Sequence, residues 1–148
     1  MLHKNFLIFI RLIFAGSNLN AQVLTSGLWQ GKSEMIVNGA PLPIAVAEQC
    51  MSPEQAQDPK ATIASSLEKT GCSITEWKIT DGKLDAVLNC KSNELKARGD
   101  VHGTFTPTSY DLKGSAHGFY KNILPVLANI KLNGRWIKDC VPESQQKN

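Results

Sequence analysis

Short runs in which apolar and polar residues alternate make up most of this chain, and glycine, proline, asparagine and aspartate separate them. A period of two sends successive side chains to opposite faces of an extended backbone, so the runs read as half-buried β-strands. Asn38-Gly39, Asp81-Gly82 and Asn133-Gly134 are the strongest turn dipeptides, because these residues tolerate positive φ. Around the first, residues 28–37 and 42–49 form two strands, with Ala40-Pro41 lengthening the loop between them. Around the second, residues 73–79 and 83–89 form a hairpin. Residues 94–101, 103–107, 110–113 and 116–120 are shorter strands set apart by Gly, Pro and Ser. Residues 126–132 and 134–138 flank the third dipeptide, and residues 143–148 are a polar tail. Strands at this regular spacing indicate a mainly β fold, either an antiparallel curved sheet or a barrel-like sandwich.

One segment departs from the alternation and predicts a short helical insert. Ser52 is suited to cap a helix, Pro53 to its first turn, and Gln55 completes a capping box. Asp58-Pro59 repeats the start signal, Ile63 and Leu67 then lie four apart on one face, and Gly71 suits the stop position.

Residues 1–21 have the three parts of an export signal: a positive start at His3-Lys4, an apolar run from Phe6 to Phe14, and small residues at Ala15 and Ala21 for cleavage. The apolar run carries Arg11 and falls well short of the roughly 20 residues that a spanning helix needs. Ser17 stands where a lipid-carrying cysteine would be, which argues against a lipid anchor. Removal of this leader takes Lys4 and Arg11 and leaves 14 of the 16 basic residues against 13 acidic ones, a formal charge near +1. A nucleic-acid partner normally requires a concentrated basic face, so none is expected. What remains is a single domain, residues 22–142, with no membrane span after cleavage and a periplasmic or secreted location.

Four cysteines, Cys50, Cys72, Cys90 and Cys140, follow the leader, and in an oxidising compartment an even set reads as a disulfide framework. If Thr80-Asp81-Gly82 is a three-residue loop, Ile79 faces Lys83, Trp77 faces Asp85, Thr75 faces Val87 and Cys72 faces Cys90, within reach of a bridge. A two-residue loop would set Cys72 opposite Lys91 instead. Cys50 and Cys140 then pair by elimination. The spacings of 22, 18 and 50 residues contain no Cys-x-x-Cys knuckle, so a zinc site is not expected.

No set of residues makes a catalytic group. His102 and His117 lack a third spaced ligand, and Ser115, in Gly114-Ser115-Ala116-His117-Gly118, lacks the strand-to-helix turn of a nucleophile elbow. Arg98-Gly99-Asp100 spells an adhesion tripeptide, which would need an exposed, mobile loop to act. Trp29, Trp77 and Trp136 fall in strands and are candidates for either core or the lining of a ligand cavity. No cofactor or metal is expected, and the chain reads as a non-enzyme.

The order of motifs resembles one bacterial family of small exported proteins, classed as domain of unknown function 3617. The resemblance rests on Gly27-Leu28-Trp29, Cys50-Met51-Ser52-Pro53-Glu54, Gly71-Cys72, Cys90, Tyr110-Asp111-Leu112-Lys113-Gly114 and Gly134-Arg135-Trp136-Ile137-Lys138-Asp139-Cys140. Lys138 stands where a glycine is usual before the last cysteine, and the late strands are poor in methionine. The resemblance implies a Gram-negative periplasm and brings no catalytic residues. The function expected is that of a binding module for a small apolar ligand or a partner protein. A structural or assembly protein of the envelope, acting through a sheet edge, is the alternative, and a hydrolase comes last.

Overall fold

Residues with positive φ set most of the corners of this sheet. A computed structural model describes residues 23–143; the predicted leader, residues 1–21, and residues 144–148 of the polar tail lie outside them. Strand β1 (Gly27–Val37) turns through Asn38 and Gly39, at φ 50° and 83°, directly into β2 (Ala40–Pro41). Ala40-Pro41, expected as extra loop, is thus an edge strand, because two left-handed residues suffice for a two-residue hairpin. Strand β3 (Ala45–Met51) pairs with the first half of β1.

Two short helices follow. In α1 (Pro53–Gln57) the Gln55 N–H donates to Ser52 Oγ at 3.2 Å and the Ser52 N–H donates to Gln55 Oε1 at 2.9 Å, the reciprocal capping box the sequence implies. In α2 (Pro59–Glu68) the Ala61 N–H donates to Asp58 Oδ1, and Gly71 leads out of the segment at φ 77°.

The chain then runs up and down through β4 (Cys72–Thr80), β5 (Lys83–Lys91), β6 (Leu95–Thr106), β7 (Ser109–Tyr120) and β8 (Leu124–Lys138). Strand β8 returns to pair with β1, giving one antiparallel eight-stranded sheet in the order β2-β1-β8-β7-β6-β5-β4, with β3 on the same side of β1 as β2. The sheet does not close: β2 and β3 together form one edge and β4 the other. A single open sheet is therefore the form the mainly β architecture takes.

Three expected breaks are absent. Residues 95–106 form one strand, β6, residues 110–120 lie within β7, and Asn133-Gly134 sits in the middle of the 15-residue β8 rather than at a turn. A glycine inside a strand is used for close backbone approach as readily as for a turn. At Gly99, Gly114 and Gly118 a methyl would press on the backbone of the neighbouring strand, so β6 and β7 run closer than side chains would allow.

Both disulfides are present, Cys50–Cys140 and Cys72–Cys90. Cys72 does lie opposite Cys90, but not by the three-residue loop. Asp81 (φ 51°) and Gly82 (φ 71°) make a two-residue loop that pairs Thr80 with Lys83 and Trp77 with Ala86. The ladder then slips by one residue between Ile74 and Glu76, a β-bulge at Thr75 that restores the register the cysteines require. The slip has a packing consequence, since a one-residue change of register exchanges faces. Trp77 stands beside buried Ala86 rather than beside exposed Asp85.

The core gathers at one end of one face. Leu24, Trp29, Ala56, Leu84, Ala86, Phe105 and Leu112 are each less than a tenth exposed. Chain preceding β1 and helix α1 cover this end: the Leu24 N–H donates to the Ala56 carbonyl at 3.0 Å, and the Thr25 N–H to the Pro107 carbonyl at 2.8 Å. Helix α2 lies against β4. The Cys50–Cys140 bridge ties the start of the helical insert to the chain just after β8.

Candidate ligand-binding face

The cross-strand registers place defined rows of side chains on the covered face, here called the inner face. One row runs Ser33, Leu132, Leu112, Gly103, Leu84 and Ile79 from β1 to β4. Two steps further from the covered end, a row reads Val37, Ala128, Ala116, Gly99, Leu88 and Ile74. Beyond it Val126, Gly118, Ala97, Cys90 and Cys72 complete the next. No charged residue occurs in any of these rows.

The two ends of this face differ in what fills them. Near the helices the residues are large and buried: Trp29 stacks on Tyr110 with ring centroids 6.1 Å apart, and Phe105 stacks on Tyr110 at 5.9 Å. Further along, the middle strands carry Ala97, Gly99, Ala116, Gly118 and Ala128, while Leu88, Ile74, Val37 and Val126 stand at the sides. Each of these is partly exposed, and helix α2 lies beside them along β4, the strand of Ile74. Large side chains at the flanks and small ones in the middle make an apolar trough.

At the β3 side the inner face also holds a cleft of about 270 Å³. Trp29, Gly31, Ser33, Met51, Tyr110 and Leu132 line it, with Lys32 and Gln49 as polar neighbours. Burial raises the pKa of the Tyr110 phenol above its ordinary 10.0, so the group is a neutral donor throughout the physiological range. This cleft joins the trough through Met35 and Ile130, the pair that lies between Ser33–Leu132 and Val37–Ala128 in the ladder.

The tryptophans named from the sequence are distributed over this face. Trp29 is 4% exposed, and its indole N–H donates to the Thr25 carbonyl at 2.8 Å. Trp136 is its ladder partner and donates to the Ser26 carbonyl at 2.9 Å. Both indoles thereby bind the chain before β1 to the sheet. Trp77 is half-buried against the core and borders a depression of about 580 Å³ at the β4 bulge. Glu76, Lys78, Asp85, Asp100 and His102 also line that depression, so its polar rim suits water better than an apolar body. The small residues of the trough escaped the sequence reading because alanine and glycine carry no chemical signal; their alternation along β6 and β7 was the available clue.

The polar candidates occupy the opposite face. His117 pairs with Arg98 and His102 with Lys113, which separates the two imidazoles by four residues of strand, roughly 13 Å. Asp100 stands between Ser115 and His102: the Ser115 hydroxyl donates to Asp100 Oδ1 at 3.0 Å, and His102 Nδ1 lies 3.5 Å from Asp100 Oδ2. In a nucleophilic triad the imidazole must contact the hydroxyl, and here the carboxylate intervenes. Arg98-Gly99-Asp100 lies within β6, hydrogen-bonded on both sides, and is not a loop. Among the described residues no group of three or more His, Cys, Asp or Glu is placed to hold a metal ion, and no helix is long and apolar enough to cross a membrane.

Residues 24–140 match the model of a family described as protein of unknown function (DUF3617). No curated protein and no solved structure matches the chain.

Proposed function

Because this chain belongs to the DUF3617 family, whose description specifies no activity, we propose from its geometry that it is a non-catalytic binding module, exported to the periplasm or beyond the cell, that holds a small apolar ligand on its inner face. The observation that carries this reading is the trough: a continuous apolar face whose far half is built on Ala97, Gly99, Ala116, Gly118 and Ala128 and is left partly exposed. A face that only needed to form a core would be filled by larger side chains, as it is around Leu84 and Leu112. Small residues there keep room for another molecule, and ligand sites are typically apolar concavities with a few polar groups at one end. Tyr110 and Gln49 supply such groups at the cleft. The two disulfides suit an oxidising compartment outside the cytoplasm, and the leader read from residues 1–21 supports export.

The test is native mass spectrometry of gently purified protein, with a fluorescent fatty acid as the binding probe. A co-purifying small apolar molecule, or probe uptake abolished by Ala116→Trp without loss of the fold, is expected. Neither cargo nor probe uptake would overturn the reading.

A second reading, assembly through a sheet edge, is favoured by β3. Its outer side pairs with no described strand, Glu48 is the single charged residue in Ala45–Met51, and Val46 is 61% exposed. Such an edge is a template for strand addition. A co-purifying protein that is lost on Val46→Pro would establish it.

A further inference from the structure

At the end of the sheet opposite helix α1, the β7–β8 connection is a three-residue loop, Lys121-Asn122-Ile123, with Lys121 and Asn122 both at positive φ and Tyr120 paired with Leu124. It carries the most exposed large apolar residue of the described chain, Ile123 at 84%, next to Leu124 at 57%. Phe119 and Leu127 extend this apolar surface onto the outer face, both more than half exposed. The neighbouring Asn38 turn is fastened to the same place: its side chain accepts from the Leu127 N–H at 2.8 Å and donates to the Pro125 carbonyl at 3.1 Å. Two hairpin ends are thereby held side by side as a rigid platform.

Cations border the platform. In the ladder Lys91 lies beside Lys96, and Lys96 beside Phe119, while Arg98 lies beside His117, which lies beside Leu127. Lys121 Nζ sits 5.3 Å from the centre of the Tyr120 ring. Two carboxylates lie near these groups: Glu94 belongs to the adjacent β5–β6 turn, and Glu76 approaches Arg98 at 3.9 Å. The four cations outnumber them: Lys121 belongs to the tip itself, and Lys91, Lys96 and Arg98 border the apolar surface.

We infer that this end of the sheet docks on an anionic lipid membrane. A projecting tip of isoleucine and leucine fits a deformable surface better than a preformed protein pocket, and a tyrosine under a lysine is the pairing of an apolar body with a polar head that interfaces favour. Apolar insertion and attraction of nearby lysines to anionic headgroups act together in peripheral binding. The inference does not rest on the trough: Ile123 lies in the turn and Phe119 and Leu127 on the outer face, while Tyr120 and Leu124 flank the turn as the pair beyond Gly118 and Val126.

Sedimentation with vesicles tests it. Purified protein should pellet with mixed phosphatidylcholine–phosphatidylglycerol vesicles, less with pure phosphatidylcholine, and less again as salt is raised. Lys96→Glu with Lys121→Glu should weaken binding by more than about tenfold, and Ile123→Asp with Leu124→Asp should abolish it, both with unaltered melting curves. Failure of the wild type to pellet with anionic vesicles would overturn the proposal, as would pelleting unchanged by either pair of substitutions. So would analytical ultracentrifugation showing that Ile123→Asp dissolves a dimer of a chain that ignores vesicles; the tip would then be a contact between copies.

Discussion

The ring of Tyr110 lies over Gly134 on the neighbouring strand, in space that no side chain at position 134 could share. A methyl built there would come within 2.6 Å of the Tyr110 oxygen and overlap the ring itself. The same hydroxyl reaches across to Gly31, the ladder partner of Gly134 on β1. Two facing glycines therefore make a bed in which the phenol lies flat while its ring stacks between Trp29 and Phe105. Gly134→Ala should destabilise the protein by about 1–3 kcal/mol through overpacking, with a loss of near-ultraviolet circular dichroism as the aromatic stack is displaced. An unchanged spectrum and melt would show that the ring can move aside freely.

The two bridges should contribute unequally. Cys72–Cys90 closes a separation of 18 residues and Cys50–Cys140 one of 90. Chain-entropy estimates give ~3 kcal/mol for the first and ~4.5 kcal/mol for the second. Thermal melts of Cys72→Ala with Cys90→Ala, and of Cys50→Ala with Cys140→Ala, should therefore both fall, the second further. Peptide mapping without reduction checks the connectivity directly.

Trp29→Ala should be the most damaging of the tryptophan substitutions, at about 3–5 kcal/mol. Its indole is buried and its loss also removes the donor to the Thr25 carbonyl. Trp77, half-buried beside Ala86, should cost less. Chemical denaturation curves of the two variants rank them.

Histidine replacement should do little. His102→Ala with His117→Ala removes two exposed imidazoles on the outer face, and surface changes of this kind cost within about 0.5 kcal/mol. Melting temperature and hydrolytic assays should match the wild type; a turnover lost with the histidines would revive a catalytic reading.

Stability should decline at high pH through Tyr110. Burial holds its folded pKa above 10.0, so as pH rises the unfolded chain releases the phenolic proton first. Below the ordinary value the group is neutral in both states and adds no pH dependence; above it, the unfolded state is favoured increasingly until the folded pKa is passed. Tyr110→Phe should make the fall in melting temperature above pH 10 shallower than in the wild type.

Local chemistry was readable in the residues. The turn positions at Asn38-Gly39 and Asp81-Gly82, though not their two-residue length, the Ser52–Gln55 capping box and the Asp58 cap each depend on neighbours a few positions away, so the sequence by itself determined them. The even cysteine count likewise pointed to an oxidising environment, which the two disulfides suit. The loops at 102, 114 and 133 did not follow, because a glycine serves a turn and a close strand–strand approach equally well, and only the partner strand distinguishes them. Tertiary structure decided that Gly134 lies under Tyr110 rather than in a turn, and that a bulge at Thr75 offsets the short Asp81-Gly82 loop so that Cys72 meets Cys90. It also decided which small residues share a row: Ala116, Gly99 and Ala128 come from three strands, and no spacing along one strand reveals the register that sets them side by side. Register is fixed by the sum of cross-strand contacts over the whole sheet, and that sum exists only once the sheet has formed.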